Sequence, residues 1–124
     1  MEASERVTAI LGASDNPQRY AYKAMERLLE KGHRVVLVNP TLGPMKNLPV
    51  VKSLSEIAQP IDTVTVYLSA KRSTALAPDL LKLKPGRVVF NPGAENPELE
   101  KTLSGANIPW LHACTLVLLA TGKY

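Results

Sequence analysis

The feature that most constrains this chain is a pair of short apolar runs joined by a helix-like segment. The runs occupy residues 7–12 and 34–39, and their length and composition are typical of buried parallel strands. Between them, residues 21–29 place apolar side chains at helical spacing, and Gly32 follows where helices commonly end. The pattern predicts a strand, a helix and a second strand with a right-handed crossover.

The same alternation continues along the chain. Further short strands are predicted at residues 61–68, 87–91 and 108–112. The connections are predicted to hold helical segments within residues 54–58, 73–83, 97–103 and 115–120, with Pro78 opening a turn of helix. The long loop at residues 40–52 is a candidate for a short edge strand near Val50. The alternation predicts an α/β fold, a doubly wound three-layer sandwich around a mainly parallel five-stranded sheet.

Length and composition limit the class of protein. For 124 residues and 13.5 kDa we expect one domain spanning residues 1–124. Hydrophobic residues make up 45% of the chain, yet no run approaches the roughly 20 apolar residues of a membrane span. The polar start lacks a secretory signal, and the single cysteine, Cys114, suits a reducing compartment. We therefore expect a cytoplasmic protein that does not insert into a membrane.

The charge balance favours small anions as ligands. Fifteen Lys and Arg residues against eleven Asp and Glu give a net charge of +4. The basic residues are scattered and aromatic residues are only 5% of the chain, so the basic, aromatic-rich stripe of a nucleic-acid-binding face is missing. The histidines and the cysteine lack the spacing of zinc ligands. We expect a phosphate-bearing small molecule, no nucleic acid and no metal site.

The loop after the first predicted strand is a candidate phosphate site, because ligands of open parallel sheets bind beyond the carboxyl ends of the strands. It holds the small residues Gly12, Ala13 and Ser14, ahead of a helix N-terminus that favours a negative group. Arg19 adds a guanidinium suited to phosphate oxygens. The alternative is structural: Gly12 permits a tight turn, Asn16 caps the helix, and Arg19 is a surface charge.

Asn39 separates this chain from the commonest proteins with such a sheet. Dinucleotide dehydrogenases place Asp or Glu at the end of the second strand, where it binds ribose hydroxyls. Here that position holds the neutral Asn39, followed by Pro40, so NAD binding is disfavoured. A neutral site within reach of Lys46 and Arg72 would tolerate a ribose that carries an extra phosphate, although ordinary loop structure explains the Asn-Pro pair equally well.

A series of motifs along the chain resembles one known family. In sequence order they are Gly12-Ala-Ser-x-Asn-Pro-x-Arg19-Tyr20, Gly32-His-x-Val35 with Val38-Asn-Pro40, Asp62-Thr-Val-x-Val-Tyr67, Phe90-Asn-Pro-Gly93 with Glu95-Asn96, and Cys114-Thr-Leu-Val-Leu-Leu119. In this order and spacing they resemble the small CoA-binding proteins related to the N-terminal domain of the succinyl-CoA synthetase α subunit. The resemblance covers nearly the whole chain.

The resemblance implies a Rossmann-like fold that binds coenzyme A or an acyl-CoA at the carboxyl edge of the sheet, as a non-catalytic or regulatory binding protein. The residues it implies beside the phosphates are Gly12, Ala13, Ser14, Asn16, Arg19 and Tyr20. Those it implies at the border of the nucleotide are Asn39 and Pro40. Those it implies along the rest of the cofactor are Tyr67, Leu68, Lys71, Asn91, Pro92 and Gly93.

Two features depart from the family pattern. A synthetase lysine that contacts the cofactor, shortly after the proline of strand two, corresponds here to Leu42, with Lys46 as a candidate replacement. The synthetase also uses a phosphorylated histidine in a second domain, which a chain of 124 residues does not hold. We therefore do not expect synthetase activity.

Alternatives to a binding protein stay open at this point. His112 and Cys114 are candidates for a catalytic base and a nucleophile. In that case the chain would be a small enzyme acting on an acyl-CoA or another nucleotide. Against this, a buried cysteine in a strand is more commonly inert packing. A third hypothesis is a partner-binding subunit with a vestigial pocket. The apolar run at residues 116–119 either packs on the sheet or forms a homodimer contact.

Overall fold

The computed structural model describes residues 6–124, in which strands and helices alternate. The strands are β1 (Val7–Leu11), β2 (Arg34–Val38), β3 (Val50–Val51), β4 (Thr63–Val66), β5 (Arg87–Phe90) and β6 (Trp110–His112). The helices are α1 (Tyr20–Glu30), α2 (Ala70–Thr74), α3 (Ala77–Leu83), α4 (Pro97–Gly105) and α5 (Thr115–Ala120). A 3₁₀ turn at Leu54–Glu56 follows β3.

Within residues 6–124, six strands form one parallel sheet in the order β3-β2-β1-β4-β5-β6. This confirms the doubly wound α/β architecture, with six strands where five were expected. The additional strand is the candidate edge strand, in which Val50 and Val51 pair with Leu37 and Val38 at the end of β2. The expected edge strand near Val50 is thus confirmed, although its two residues are too few to produce a periodic pattern.

Apolar cores on the two faces of the sheet give the fold its three layers. Successive strand residues point to opposite faces, so Leu11 joins the core that contains Leu80 of α3, while Ile10 joins the core beneath α1. Met25 and Leu28 of α1 are almost fully buried there. Each such side chain stabilises the fold by about 1.5–3 kcal/mol, which is why the amphipathic pattern predicts α1 well.

The helix predicted at residues 73–83 is in fact two helices, α2 and α3. Pro78 has no N–H, and its ring would clash with the carbonyl four residues earlier in a continuous helix. The chain therefore ends α2 at Thr74 and starts α3 at Ala77, with Pro78 in the first turn of α3. At that position no helical hydrogen bond is required from it.

The helical segment predicted within residues 54–58 is a single 3₁₀ turn. Only the 3₁₀ turn Leu54–Glu56 forms, because Ile57 already has extended backbone angles, φ −82° and ψ 121°. Leu54 is nonetheless buried in the larger core. One buried leucine anchors this segment without a full helical turn.

The apolar run at residues 116–119 lies in α5. Leu119 is buried in the core beneath α1, whereas Val117 is 56% exposed. Leu119 therefore holds α5 against the sheet. The exposure of one valine does not identify a partner, so the homodimer stays a prediction.

Candidate functional site

The strand order of the sheet changes direction between β1 and β4, which lie side by side. After β1 the chain builds β2 and β3 on one side, and after β4 it builds β5 and β6 on the other. At such a point, a crevice opens beyond the carboxyl ends of the strands, and ligands of open α/β sheets bind there. Two adjoining clefts occupy this position.

The first cleft, called the polar cleft below, has a volume of about 600 Å³. It lies among the loop after β1, the start of α1, the residues between β4 and α2, and the loop after β5. Its lining residues are Gly12, Ala13, Ser14, Asp15, Asn16, Arg19, Tyr20, Ala21, Asn39, Tyr67, Leu68, Ser69, Arg72, Pro92, Gly93 and Ala94. Backbone amides, hydroxyls and two guanidinium groups thus surround it.

The second cleft, called the apolar cleft below, has a volume of about 430 Å³. Its lining residues are Leu11, Gly12, Val38, Asn39, Pro40, Thr41, Lys52, Ser53, Leu54, Leu68, Arg72 and Leu76. Gly12, Asn39, Leu68 and Arg72 line both clefts, so one elongated ligand can occupy the two. Both volumes lie in the usual range of small-molecule sites, roughly 300–1,000 Å³.

Gly12 sits where the clefts meet and can only be a glycine without strain. Its φ is +89°, a backbone conformation that side chains disfavour. A Cβ there would lie 2.9 Å from Cδ2 of Leu68 and 3.3 Å from the backbone carbonyl carbon of Tyr67. The absent side chain lets the loop after β1 approach the end of β4 closely.

The loop after β1 offers a different set of amides from the one expected. The N–H groups of Gly12 and Ala13 both donate to the carbonyl oxygen of Val38, at 3.1 and 3.2 Å, so they join β1 to β2. Within residues 6–124, the N–H groups of Ser14, Asp15 and Ala21 have no hydrogen-bond acceptor. All three belong to residues that line the polar cleft. The donors available to an anion therefore lie one to two residues later and in the first turn of α1.

Asn16 does not cap α1, contrary to the structural alternative considered above. The helix begins at Tyr20, and its N-cap residue Arg19 makes no side-chain capping bond. The Asn16 side-chain oxygen instead accepts from the N–H of Gln18 at 2.9 Å, forming a turn ahead of the helix. The first turn of α1 is thus left open to an external acceptor.

Positive charge outweighs negative charge in both clefts. Arg19 and Arg72 line the polar cleft together with one carboxylate, that of the exposed Asp15. Lys52 and Arg72 line the apolar cleft, whose described lining residues include no Asp or Glu. An anionic ligand is favoured by this balance.

Tyr67 lies beneath the polar cleft. Its hydroxyl is buried and has no hydrogen-bond partner among the described residues. Burial raises the pKa of Tyr67 to about 12. The phenol therefore stays protonated at neutral pH and is a donor, not a base.

Two residues expected at the site, Asn91 and Lys71, line neither cleft. Asn91 is 2% exposed. Its amide nitrogen donates to Thr65 Oγ1 at 2.7 Å and to the Val66 carbonyl at 2.9 Å, and its oxygen accepts from the Thr115 N–H at 2.8 Å. Asn91 therefore connects β4, β5 and α5 inside the protein. Lys71 is exposed on α2.

Several lining residues were not predicted from the sequence. Lys52, Ser53 and Leu54 directly follow β3, so the strand-end rule would have found them had it been applied to the candidate edge strand near Val50. Leu76, between α2 and α3, lines the apolar cleft because the helix breaks there. Arg72, considered only as a charge within reach, lines both clefts.

Lys46, the candidate replacement for the family lysine, lies elsewhere. Its Nζ is 3.9 Å from a carboxylate oxygen of Glu26 and 5.6 Å from the ring centroid of Tyr22. It lines neither cleft. Leu42 is partly buried against the core beneath α1. Neither residue places a cation at the site.

The candidate pair His112 and Cys114 also lies outside both clefts. Nε2 of His112 is 2.7 Å from Oε2 of Glu100, which also accepts from the N–H of Asn96 at the start of α4. Cys114 is the N-cap residue of α5. The histidine thus contacts a carboxylate of α4.

Among residues 6–124, none of the helices has the length and apolar content needed to cross a lipid bilayer.

Solved structures share this fold closely. One, described as an uncharacterized protein, superposes with a TM-score of 0.90 at 39% sequence identity, covering 96% of this chain and 98% of that chain. A second, cell-free ID.343 from Thermus thermophilus, has a TM-score of 0.89 at 30% identity and covers 96% of this chain and 90% of that chain.

Sequence comparison finds a related protein and a family. The chain is 30% identical over 82 residues to the uncharacterized protein YneT of Bacillus subtilis strain 168. That match covers 66% of this chain and 60% of YneT, so it spans less than two thirds of the relative. The pattern of the CoA binding domain matches residues 6–120, almost the whole of the chain described above. With that match over its entire sheet, the chain belongs to the CoA binding domain family.

Proposed function

We propose that this chain binds coenzyme A or an acyl-CoA across the two clefts, as a non-catalytic or regulatory binding protein. The observation that carries the proposal is the junction of the clefts at Gly12, Asn39, Leu68 and Arg72, in a chain of the CoA binding domain family. Coenzyme A is elongated, with a diphosphate between a nucleoside and a pantetheine arm. Two joined clefts of different polarity suit such a molecule.

The polar cleft takes the diphosphate in this proposal. The unpaired N–H groups of Ser14, Asp15 and Ala21 provide donors, and the N-terminal end of the α1 dipole favours a negative group. The Arg19 and Arg72 guanidinium groups each present a planar fork that fits phosphate oxygens. The Asp15 carboxylate opposes binding unless it stays turned toward solvent, which its exposure permits.

The apolar cleft takes the adenine ring. Val38, Leu54 and Leu76 provide apolar walls, and Ser53 provides a polar edge for ring nitrogens. Because the two clefts meet at Gly12, a nucleoside in the apolar cleft can connect there to a diphosphate in the polar cleft.

The pantetheine arm leaves along the loop after β5. Pro92 and Gly93 line that end of the polar cleft and are both exposed. Gly93 has φ +89°, and nothing lies within 4 Å of the position its Cβ would occupy. The open surface accepts either a free thiol or an acyl group.

Binding without catalysis is supported by the side chains present. Neither cleft is lined by a histidine or a cysteine among residues 6–124. The buried phenol of Tyr67, with its pKa raised to about 12 by burial, is a poor proton acceptor at neutral pH. The described cleft residues therefore supply cations and N–H donors for phosphates, and they supply no imidazole or thiol as a base or nucleophile.

Calorimetric titration with CoA and acetyl-CoA tests the proposal. We expect binding of both, and an increase in unfolding free energy of about 2.7 kcal/mol at a ligand concentration roughly a hundredfold above Kd. Arg19→Gln should weaken binding about tenfold or more through the lost charge-assisted hydrogen bonds.

The matched control is Arg34→Gln. Arg34 is an exposed arginine at the first residue of β2, at the opposite edge of the sheet, so its loss changes the net charge equally. It should leave the affinity for CoA nearly unchanged. Absence of both heat and thermal stabilisation at millimolar CoA overturns the proposal, as does equal weakening by the two substitutions.

A further inference from the structure

Lys52 holds a distinct position at the candidate site. It directly follows β3 and lines the apolar cleft but not the polar cleft. Arg72, the other cation of the apolar cleft, lines both. Within residues 6–124, Lys52 is exposed and no carboxylate lies within 4.0 Å of its ammonium group. Of the two clefts, its positive charge therefore borders the apolar one alone.

Within residues 6–124, the apolar cleft lacks the carboxylate that binds ribose hydroxyls in dinucleotide dehydrogenases. Its described lining residues include no Asp or Glu. Asn39, at the end of β2, already uses its side chain on the Ala13 carbonyl and on Thr41. An unmodified ribose carries no negative charge to pair with Lys52. A phosphorylated ribose carries one.

We propose that Lys52 makes the site selective for nucleotides whose adenosine ribose carries a phosphate group. CoA is then preferred over dephospho-CoA, which lacks only that group. The inference rests on the proposed function, because it assumes that the adenosine of CoA occupies the apolar cleft. Lys52, which follows the edge strand, binds the ribose phosphate, and Arg72, which lines both clefts, does not determine this selectivity.

The physical basis is the pairing of an ammonium group with a phosphate dianion. Such charge-assisted hydrogen bonds are shorter and stronger than neutral ones. The neighbouring Arg72 lies where the clefts join, so its charge is shared with the diphosphate, which both ligands carry. Loss of Lys52 should therefore change the ratio of the two affinities, while loss of Arg72 should lower both.

The test measures Kd for CoA and for dephospho-CoA by calorimetry. Wild-type protein should prefer CoA by about tenfold or more. Lys52→Met should reduce that preference to near unity with little change for dephospho-CoA, and Lys52→Arg should retain it. Arg72→Gln should weaken both ligands to a similar degree. Circular dichroism of each variant confirms folding, which we expect because Lys52 is exposed.

Lys31→Met is the matched control. Lys31 is an exposed lysine just after α1, at the opposite edge of the sheet from the clefts. It removes the same charge and should leave the preference intact. Tight CoA binding without discrimination against dephospho-CoA, or a preference that survives in Lys52→Met, overturns this inference and leaves the proposed function standing. Failure of both ligands to bind wild-type protein overturns the two together.

Discussion

The side-chain amide of Asn39 donates a 2.7 Å hydrogen bond to the carbonyl oxygen of Ala13. The oxygen of the same side chain accepts from the N–H of Thr41 at 2.8 Å. Asn39 thereby joins the loop after β1 to the loop after β2, which adjoin because the two strands pair in parallel. The neutral residue that counts against NAD binding also positions the loop of the polar cleft.

Asn39→Asp should therefore weaken both the fold and the site. The carboxylate cannot donate to the Ala13 carbonyl, and it places a negative charge where the two clefts meet. We expect a loss of about 1–3 kcal/mol in unfolding free energy, measured by urea denaturation. Affinity for CoA should fall at least about tenfold by calorimetry, because the phosphates are repelled.

Gln59→Glu is the control for that substitution. Gln59 is exposed in the loop before β4 and lines neither cleft, so the same amide-to-carboxylate change should affect neither measurement. Unchanged CoA affinity in Asn39→Asp would contradict the position assigned to the phosphates.

Gly12→Ala should destabilise the protein. The φ of +89° disfavours any side chain, and the new Cβ would lie 2.9 Å from Leu68 Cδ2. The combined strain should lower the unfolding free energy by about 1–3 kcal/mol, measured by urea denaturation. Gly105→Ala is the matched control, since Gly105 lies at the end of α4 with open space around it. Equal stability of the two variants would show that the loop relaxes freely.

His33 should make stability fall with acidification. It is 8% exposed, and burial followed by the charge of Arg6 lowers its pKa below the ordinary 6.5. The unfolded chain then binds a proton at a higher pH than the folded protein does. Unfolding free energy should therefore decrease as pH drops below about 6.5, by at most about 1.4 kcal/mol per pH unit from this group.

Carboxylates also titrate in acid, so the comparison uses His33→Gln. Urea denaturation between pH 7 and pH 5 should show a shallower loss for this variant than for wild-type protein. Parallel pH profiles for wild-type protein and His33→Gln would refute the assignment.

Asn91→Ala should act on the fold and not directly on the ligand. It removes the acceptor of the Thr115 N–H and one of the two hydrogen-bond partners of the Thr65 hydroxyl inside the protein. We expect a loss of about 2 kcal/mol or more in unfolding free energy, with the CoA affinity of the folded fraction affected less than in Arg19→Gln. Lys71→Met should change neither quantity. A selective loss of affinity in either variant would place that residue at the ligand after all.

Local patterns predicted much of the fold because they reflect local geometry. The strands β1 and β2 and the helix α1 were predicted from residues 7–39, since burial of one helical face and of a short strand depends on near neighbours. The strand-end rule likewise brought Gly12 and Asn39 to one edge of the sheet. The turn of helix predicted at Pro78 is confirmed by its place in the first turn of α3, whereas the separate helix α2 was not predicted.

By itself, the sequence determined the alternation of strands and helices, the family, and the edge of the sheet where a ligand belongs. Only the tertiary structure decided which polar groups are free to bind it. Asn39 and Asn91 look alike in the sequence, yet one borders both clefts and the other is satisfied inside the protein by Thr65 and Thr115. The difference is set by partners distant in the chain, which strand register brings together.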